Sequence, residues 1–343
     1  MNKNKIKVIA ELCQNHKGDF KIVEEMVHAA SEAGADAAKI QSIRSSDLTH
    51  RERFDTGSVD SEGKTTVKKR PYKDEYARLK PLDLSEDDHY KFIEICKKYS
   101  ITPMTTIFNL SRIEFTKKAG FEVVKLSSFD CSAHFMIKEI LKRNFKTIVI
   151  STGATFDEEI EETCKIMKAH EDFHLLHCVS IYPTRLEVAH LNRINYLKSL
   201  TKNVGISDHS DPEKTGLKLC ISAVDVGATI IEKHFTILNK NETKDGVVSV
   251  NEKQLSDLVK LSNLSTADRK KYIKENIKEF EIMLGNEKRE LSSEEFLNRD
   301  EVNEMIESAI RRHNRRSTII SSVLGWILIG GYSFGLFQAV QNV

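Results

Sequence analysis

Eight short runs rich in β-branched and apolar residues recur between Lys7 and Phe235, and nearly every one leads into a residue that can bind an anion, bind a metal or move a proton. The runs are Lys7 to Leu12, Ala37 to Ser42, Ile101 to Ile107, Glu122 to Ser127, Thr147 to Thr152, Phe173 to Cys178, Val204 to His209 and Thr229 to Phe235. Associated with their C-terminal ends are Glu11, Lys39 with Gln41, Thr102, Lys125 with Ser128 and Asp130, Ser151, Tyr182, Ser207 with His209, and His234. Segments of helical period lie between them. Asp19 is placed to cap a helix whose Ile22, Val23, Met26, Val27 and Ala30 share one face, with Gly34 closing it. Ser85 to Tyr99, Ser111 to Ala119, Asp157 to His170, Leu186 to Leu200 and Lys214 to Val226 repeat that pattern. Strand and helix in alternation predict a parallel sheet, and eight units predict closure into an α/β (β/α)8 TIM barrel. The absence of Gly-x-Gly-x-x-Gly removes support for an open dinucleotide-binding sheet. In a barrel the C-terminal strand ends share one mouth, so these polar residues describe one site.

A barrel needs roughly 250 residues, and this chain has 343. The expected division is a barrel over residues 1–265, a charged helical linker over 266–316 and an apolar segment over 317–340. Lys plus Arg (52) balances Asp plus Glu (51), so no nucleic-acid partner is expected and any attraction for anions must be local. Six cysteines without a Cys-x-x-Cys pair read as reduced, buried thiols in a cytosolic domain, not as disulfides or a zinc site. The polar N-terminus leads straight into a strand, with no apolar signal region. Arg44 to Lys80 interrupts the rhythm and reads as a partly ordered flap over the mouth.

Ser317 to Val340 carries no formal charge over 24 residues, long enough to cross a hydrocarbon core of about 30 Å. Arg311, Arg312, Arg315 and Arg316 precede it, which by the positive-inside rule predicts a cytoplasmic barrel anchored to the membrane by a C-terminal transmembrane helix. Its glycines and serines dilute the hydrophobicity, leaving a buried or interfacial helix as the alternative. Gly331-x-x-x-Gly335 would let two such helices approach in a homodimer.

Several segments carry a resemblance. Ala10 to Asp19 (AELCQNHKGD), Lys39-Ile40-Gln41, Lys125 to Ser128, Ser151-Thr152-Gly153, His177 to Thr184 (HCVSIYPT), Gly205 to His209 (GISDH) and Glu232 to Phe235 (EKHF) are similar to the sialic acid synthase (N-acetylneuraminate synthase) family, over about residues 5–285. That resemblance implies a TIM barrel condensing phosphoenolpyruvate with an N-acetylmannosamine-type aldehyde to give a nine-carbon 2-keto acid and phosphate. Phosphoenolpyruvate carries a phosphate and a carboxylate, and binding both needs several cations and hydroxyl donors in a confined pocket. By the resemblance Lys39, Lys125, Ser128, Ser151 and Ser207 hold it, Gln41, Thr102, Tyr182 and Asp245 face the sugar, and Ser180 stands where the family usually has asparagine. It also implies His209 and His234 as ligands of a divalent ion, Mn2+ or Mg2+, that polarises the aldehyde, with Glu11 the acidic neighbour. Asp130 stands where the family usually has glutamate, a carboxylate that handles a proton or orients water. Legionaminic- or pseudaminic-type precursors are alternative acceptors, and a barrel without turnover acting as a membrane-tethered scaffold is a further alternative. The resemblance does not extend into the antifreeze-like domain that usually follows the family's barrel; only Arg315-Arg316-Ser317 resembles its start.

Overall fold

The structure, a computed structural model, describes residues 5–285 apart from positions 49, 51, 60–64 and 68. Eight strands form the barrel: β1 (Lys7–Cys13), β2 (Ala37–Ser42), β3 (Thr102–Ile107), β4 (Val123–Leu126), β5 (Thr147–Ser151), β6 (Phe173–Cys178), β7 (Val204–Asp208) and β8 (Ile230–His234). Each pairs in parallel with its sequence neighbour, and β8 closes on β1. The side-chain period of two divides every strand between two layers. Outward residues such as Val8, Ala10 and Leu12 join the apolar layer beneath the helices. Inward residues Ile9, Ala37, Met104, Val149, Leu176 and Ile230 form a separate apolar plug that floors the barrel.

The helix over Phe20–Glu32 begins where Asp19 accepts the Lys21 amide, and it buries Val23, Met26, Val27 and Ala30. The helix over Glu86–Lys98 starts with a reciprocal cap between Ser85 and Asp88. Two expected helices are broken. Leu186–Val188 is a 3-10 turn separated from the helix Arg193–Leu200, with His190 at a left-handed φ of +46° in the break. Gly216 at φ +59° likewise divides Pro212–Thr215 from Lys218–Val226. A helix over His134–Leu141, burying Met136, Ile137 and Ile140, completes the set.

The excursion after β2 carries structure of its own: helices Glu52–Thr56 and Tyr72–Leu79 and a two-stranded hairpin, Ser58–Val59 with Thr65–Val67. Packing also continues past residue 265. Ile273, Ile277 and Met283 are buried in the barrel's outer core, and the carbonyls of Met283 and Leu284 accept the amides of Leu191 and Asn192. The packed body therefore extends to 285, and the linker expected from 266 begins as part of it. No helix among the described residues is long and apolar enough to cross a membrane; the segment 317–340 lies outside them.

Gly205 shows how tightly the wall is closed. A Cβ there would stand 2.3 Å from the Ile230 carbonyl oxygen and 2.8 Å from Leu176. Gly205→Ala is expected to lose about 1–3 kcal/mol of stability because backbone must shift. A urea midpoint equal to wild type would disprove this.

Candidate active site

Directly above the apolar floor the inward positions turn polar. Glu11, Lys39, Thr106, Ser151 and Glu232 each lie two residues beyond a floor position, with Lys125 paired across from Thr106 and Ser207 across from Glu232. They line a cavity of about 940 Å³ at the C-terminal end of the barrel. Lys39 ion-pairs with Glu11, and its Nζ donates to Thr106 Oγ1 at 2.9 Å. Lys125 Nζ donates to Glu232 Oε1 at 2.8 Å, while Glu232 Oε2 lies 3.5 Å from Lys39 Nζ. Ser207 Oγ donates to Glu232 Oε1 at 2.9 Å. Both lysines and Glu232 are only 3% exposed, so two cations and two carboxylates share one desolvated layer.

Their protonation follows from that crowding. Burial opposes the charge on Glu232, but Lys125 and Lys39 outweigh it and hold the carboxyl well below its ordinary range. Burial likewise opposes the charge on Lys39, which Glu11 and Glu232 more than restore. Lys125 is lowered by burial, against the pull of Glu232. Burial pushes Glu11 up, and Glu232 adds to the effect against Lys39. Glu11 is thus the carboxyl in this layer most ready to carry a proton. The Ser151 hydroxyl is buried without a hydrogen-bond partner among the described residues, a donor facing the cavity with nothing to bond.

Above this layer stand the two histidines. The rings of His209 and His234 are 5.3 Å apart and inclined at 64°. His209 Nδ1 is 3.1 Å from the Val179 carbonyl, which accepts its proton and leaves the Nε2 lone pair towards the cavity, 2.7 Å from the Tyr182 hydroxyl. His234 is 6% exposed and makes no side-chain hydrogen bond to a described residue. Burial, then His209, keeps its imidazole well below the usual range and hence neutral. A neutral imidazole on His234, beside a His209 ring whose Nε2 would have to exchange the Tyr182 hydroxyl for a metal, fits a divalent ion through His234 first. One ring nitrogen of His234 also lies within 4.8 Å of Cys13 Sγ and an Asp245 carboxylate oxygen, and neither His209, the other expected ligand, nor Glu11 is in that group. The loop after β6 is tied over this region: the Thr184 amide donates to the His209 carbonyl at 2.9 Å, and the Tyr182–Pro183 bond is cis. Behind the wall, Lys233 and Asp208 form a buried ion pair at 3.0 Å that fixes the strand positions flanking both histidines.

The structure brings Glu11, Lys39, Gln41, Lys125, Ser128, Ser151, Ser180, Tyr182, Ser207, His209, His234 and Asp245 onto one cavity wall. Two expected residues are elsewhere. Thr102 opens β3, paired with Ala37 at the N-terminal end of the barrel and exposed there, so it faces the opposite opening. Thr106, four residues on along the same face, holds the position expected of it. Asp130 is the other. The cavity wall runs through Ser127, Ser128 and Phe129 and stops short of it, and its carboxylate instead accepts the Ser127 hydroxyl at 2.5 Å. Residues that sequence reasoning passed over include Glu232, Thr106 and the rim cations Arg70, Arg185, Lys214 and Lys244.

Burial raises the Asp130 carboxyl to about 6, against the Ser127 hydrogen bond. The native state therefore keeps a proton that the unfolded chain releases near 3.8. Stability is full below about pH 4 and is lost as pH rises through 6, because the native group must then ionise in place. Asp130→Asn cannot ionise. Its stability relative to wild type is expected to improve by about 1–2 kcal/mol between pH 4 and pH 8. A pH-independent difference in thermal midpoint would refute the assignment.

The NeuB family matches residues 26–273 of this chain. The chain belongs to the NeuB family. It is an enzyme of the sialic acid synthase type, as its relatives' names also indicate. It is 31% identical to an N,N'-diacetyllegionaminic acid synthase of Campylobacter jejuni, over 68% of each protein. It is 30% identical to a pseudaminic acid synthase of the same organism, over 80% of this chain and 78% of that one. A crystal structure of an N-acetylneuraminic acid (sialic acid) synthetase from Leptospira borgpetersenii, in complex with citrate, superposes with a TM-score of 0.64 at 28% identity, covering 85% of this chain and 90% of that one. Residues 288–343 of this NeuB protein match a separate family of unknown function, DUF8640.

Proposed function

We propose that the cavity condenses phosphoenolpyruvate with an N-acetylated hexosamine aldehyde to give a nine-carbon 2-keto acid and inorganic phosphate, in a metal-dependent reaction. The observation that carries this reading is the desolvated layer of Lys39, Lys125, Glu11 and Glu232 lying directly beneath two adjacent imidazoles. Lys39 and Lys125 bind the phosphate and carboxylate of the donor, with Ser128, Ser151 and Ser207 supplying hydroxyls and the rim cations drawing the anion in. The sugar sits at the outer end of the cavity against Gln41, Ser180, Tyr182 and Asp245, with its aldehyde towards His209 and His234. His234 and His209 would hold a divalent ion, which would supply Lewis-acid polarisation of the aldehyde. The new carbon–carbon bond joins the donor's methylene carbon to the aldehyde carbon. Water then adds to the donor's C2, and phosphate leaves with cleavage of the C–O bond. Glu11, with its carboxyl raised by burial, takes the proton exchanges at its Oε atoms.

Asp130 enters this scheme only through Ser127, whose neighbour Ser128 lines the cavity. Legionaminic- and pseudaminic-type acceptors fit the same reading equally, since the relatives' names cover both. We retain for residues 317–340 the role of a membrane anchor for a cytoplasmic barrel; release of the full chain into the soluble fraction without detergent would count against it.

The test is incubation of the full chain with phosphoenolpyruvate, Mn2+ and a panel of 2-acetamido sugars, following phosphate and identifying products by mass spectrometry. Phosphate release that requires both substrates, with a product three carbons longer than the sugar, is expected. Release from phosphoenolpyruvate alone, or none with any sugar, would overturn the reading.

A further inference from the structure

Cys13 ends β1 with a backbone φ of +40°, in the left-handed region that residues other than glycine seldom occupy. It does so at a slip in register: Glu11 pairs with Lys39 and Cys13 with Ile40, so Leu12 has no partner of its own across β2. The backbone there is held in a costly conformation, and the thiol it presents is fully buried. That thiol stands in one group with a ring nitrogen of His234 and a carboxylate oxygen of Asp245, every pair within 4.8 Å. His234 supplies a second sign: it is 6% exposed, its ring makes no side-chain hydrogen bond to a described residue, and it opens onto the cavity. A neutral imidazole so placed keeps a lone pair available to a metal ion. The three residues come from the first strand, the last strand and the loop beyond it, so sequence spacing gave no hint of the group.

We propose that Cys13 is a thiolate ligand of a metal ion held also by His234 and Asp245, so that this centre contains sulfur and prefers Zn2+, Co2+ or Fe2+ to Mg2+. This rests on the metal-dependent reading above. Metal–sulfur and metal–nitrogen bonds of about 2.3 and 2.0–2.1 Å place ligand atoms on one ion roughly 3.3–4 Å apart, which small side-chain shifts reach from the present separations. A soft thiolate discriminates against hard cations that favour oxygen. Cys13 gives up its proton to the solvent on ligation, as every thiol ligand must.

The probe is Co2+ added to the metal-stripped full chain. A near-ultraviolet sulfur-to-cobalt charge-transfer band is expected in wild type, together with a sulfur scatterer at about 2.3 Å in X-ray absorption of the Zn2+-loaded protein. Cys13→Ser is expected to lose the band while still binding Co2+ through nitrogen, with Zn2+ affinity lowered at least the 10- to 100-fold that perturbing a ligand's support costs. Wild-type protein that binds Co2+ with no band and no sulfur scatterer would overturn the role of Cys13 and leave the histidine centre intact. Wild-type protein that binds neither ion would overturn both. If Cys13→Ser fails to fold, the wild-type spectrum and absorption data decide alone.

Discussion

Glutamine in place of Glu232 is expected to destabilise the barrel by about 3–5 kcal/mol, among the largest effects open to any single substitution in this chain. Glu232 is the carboxylate that both buried lysines share: Lys125 at 2.8 Å and Lys39 at 3.5 Å. An amide is nearly the same shape and keeps the Ser207 hydroxyl partner, so packing is preserved and the change is one of charge. It leaves two ammonium groups in a desolvated layer with Glu11 alone to neutralise them, and Glu11 is the carboxyl that burial drives towards its protonated form. The measurement is the urea midpoint at unchanged slope. Inorganic phosphate should stabilise Glu232→Gln more than wild type, because an anion replaces the missing charge. A loss below about 1 kcal/mol would show that water screens the layer and that the lysines do not depend on this partner.

His234→Ala is expected to reduce phosphate release about 1,000-fold or more, on the scale of removing a group that stabilises developing negative charge. Bound metal should fall in parallel. His234 lies at the end of β8 and makes no side-chain hydrogen bond to a described residue, so its loss should leave the fold intact by circular dichroism. That separation of turnover from stability distinguishes it from Glu232→Gln. Undiminished turnover would remove the metal from the mechanism.

All eight strands were legible because each is a short run rich in apolar or β-branched residues bounded by polar segments, and the observed ends fall within one residue of the runs read from the sequence. The helices were legible where a cap and an apolar face coincide, as at Asp19 and Ser85. They failed where backbone conformation breaks the period, as at His190 and Gly216. Thr102 was misplaced because its role rested on the family resemblance alone, whereas the first residue of β3 lies at the end of the strand away from the mouth. Glu232 was missed for another reason: a carboxylate between Ile231 and Lys233 declares itself only when the register sets it on the inner face, opposite lysines from β2 and β4. Asp130 carried the right chemistry at the right strand end, yet a bond to Ser127 three residues back turned its carboxylate off the wall. No spacing rule could assemble Cys13, His234 and Asp245.

The carbonyls of Met283 and Leu284 grip the amides of Leu191 and Asn192, just downstream of the β6 loop that carries Tyr182 and is fastened to His209 through Thr184. The last segment of the packed body is thereby sewn to the stretch that follows this loop, so fraying of residues 280–285 would loosen the backbone of Leu191 and Asn192 before it disturbed any strand.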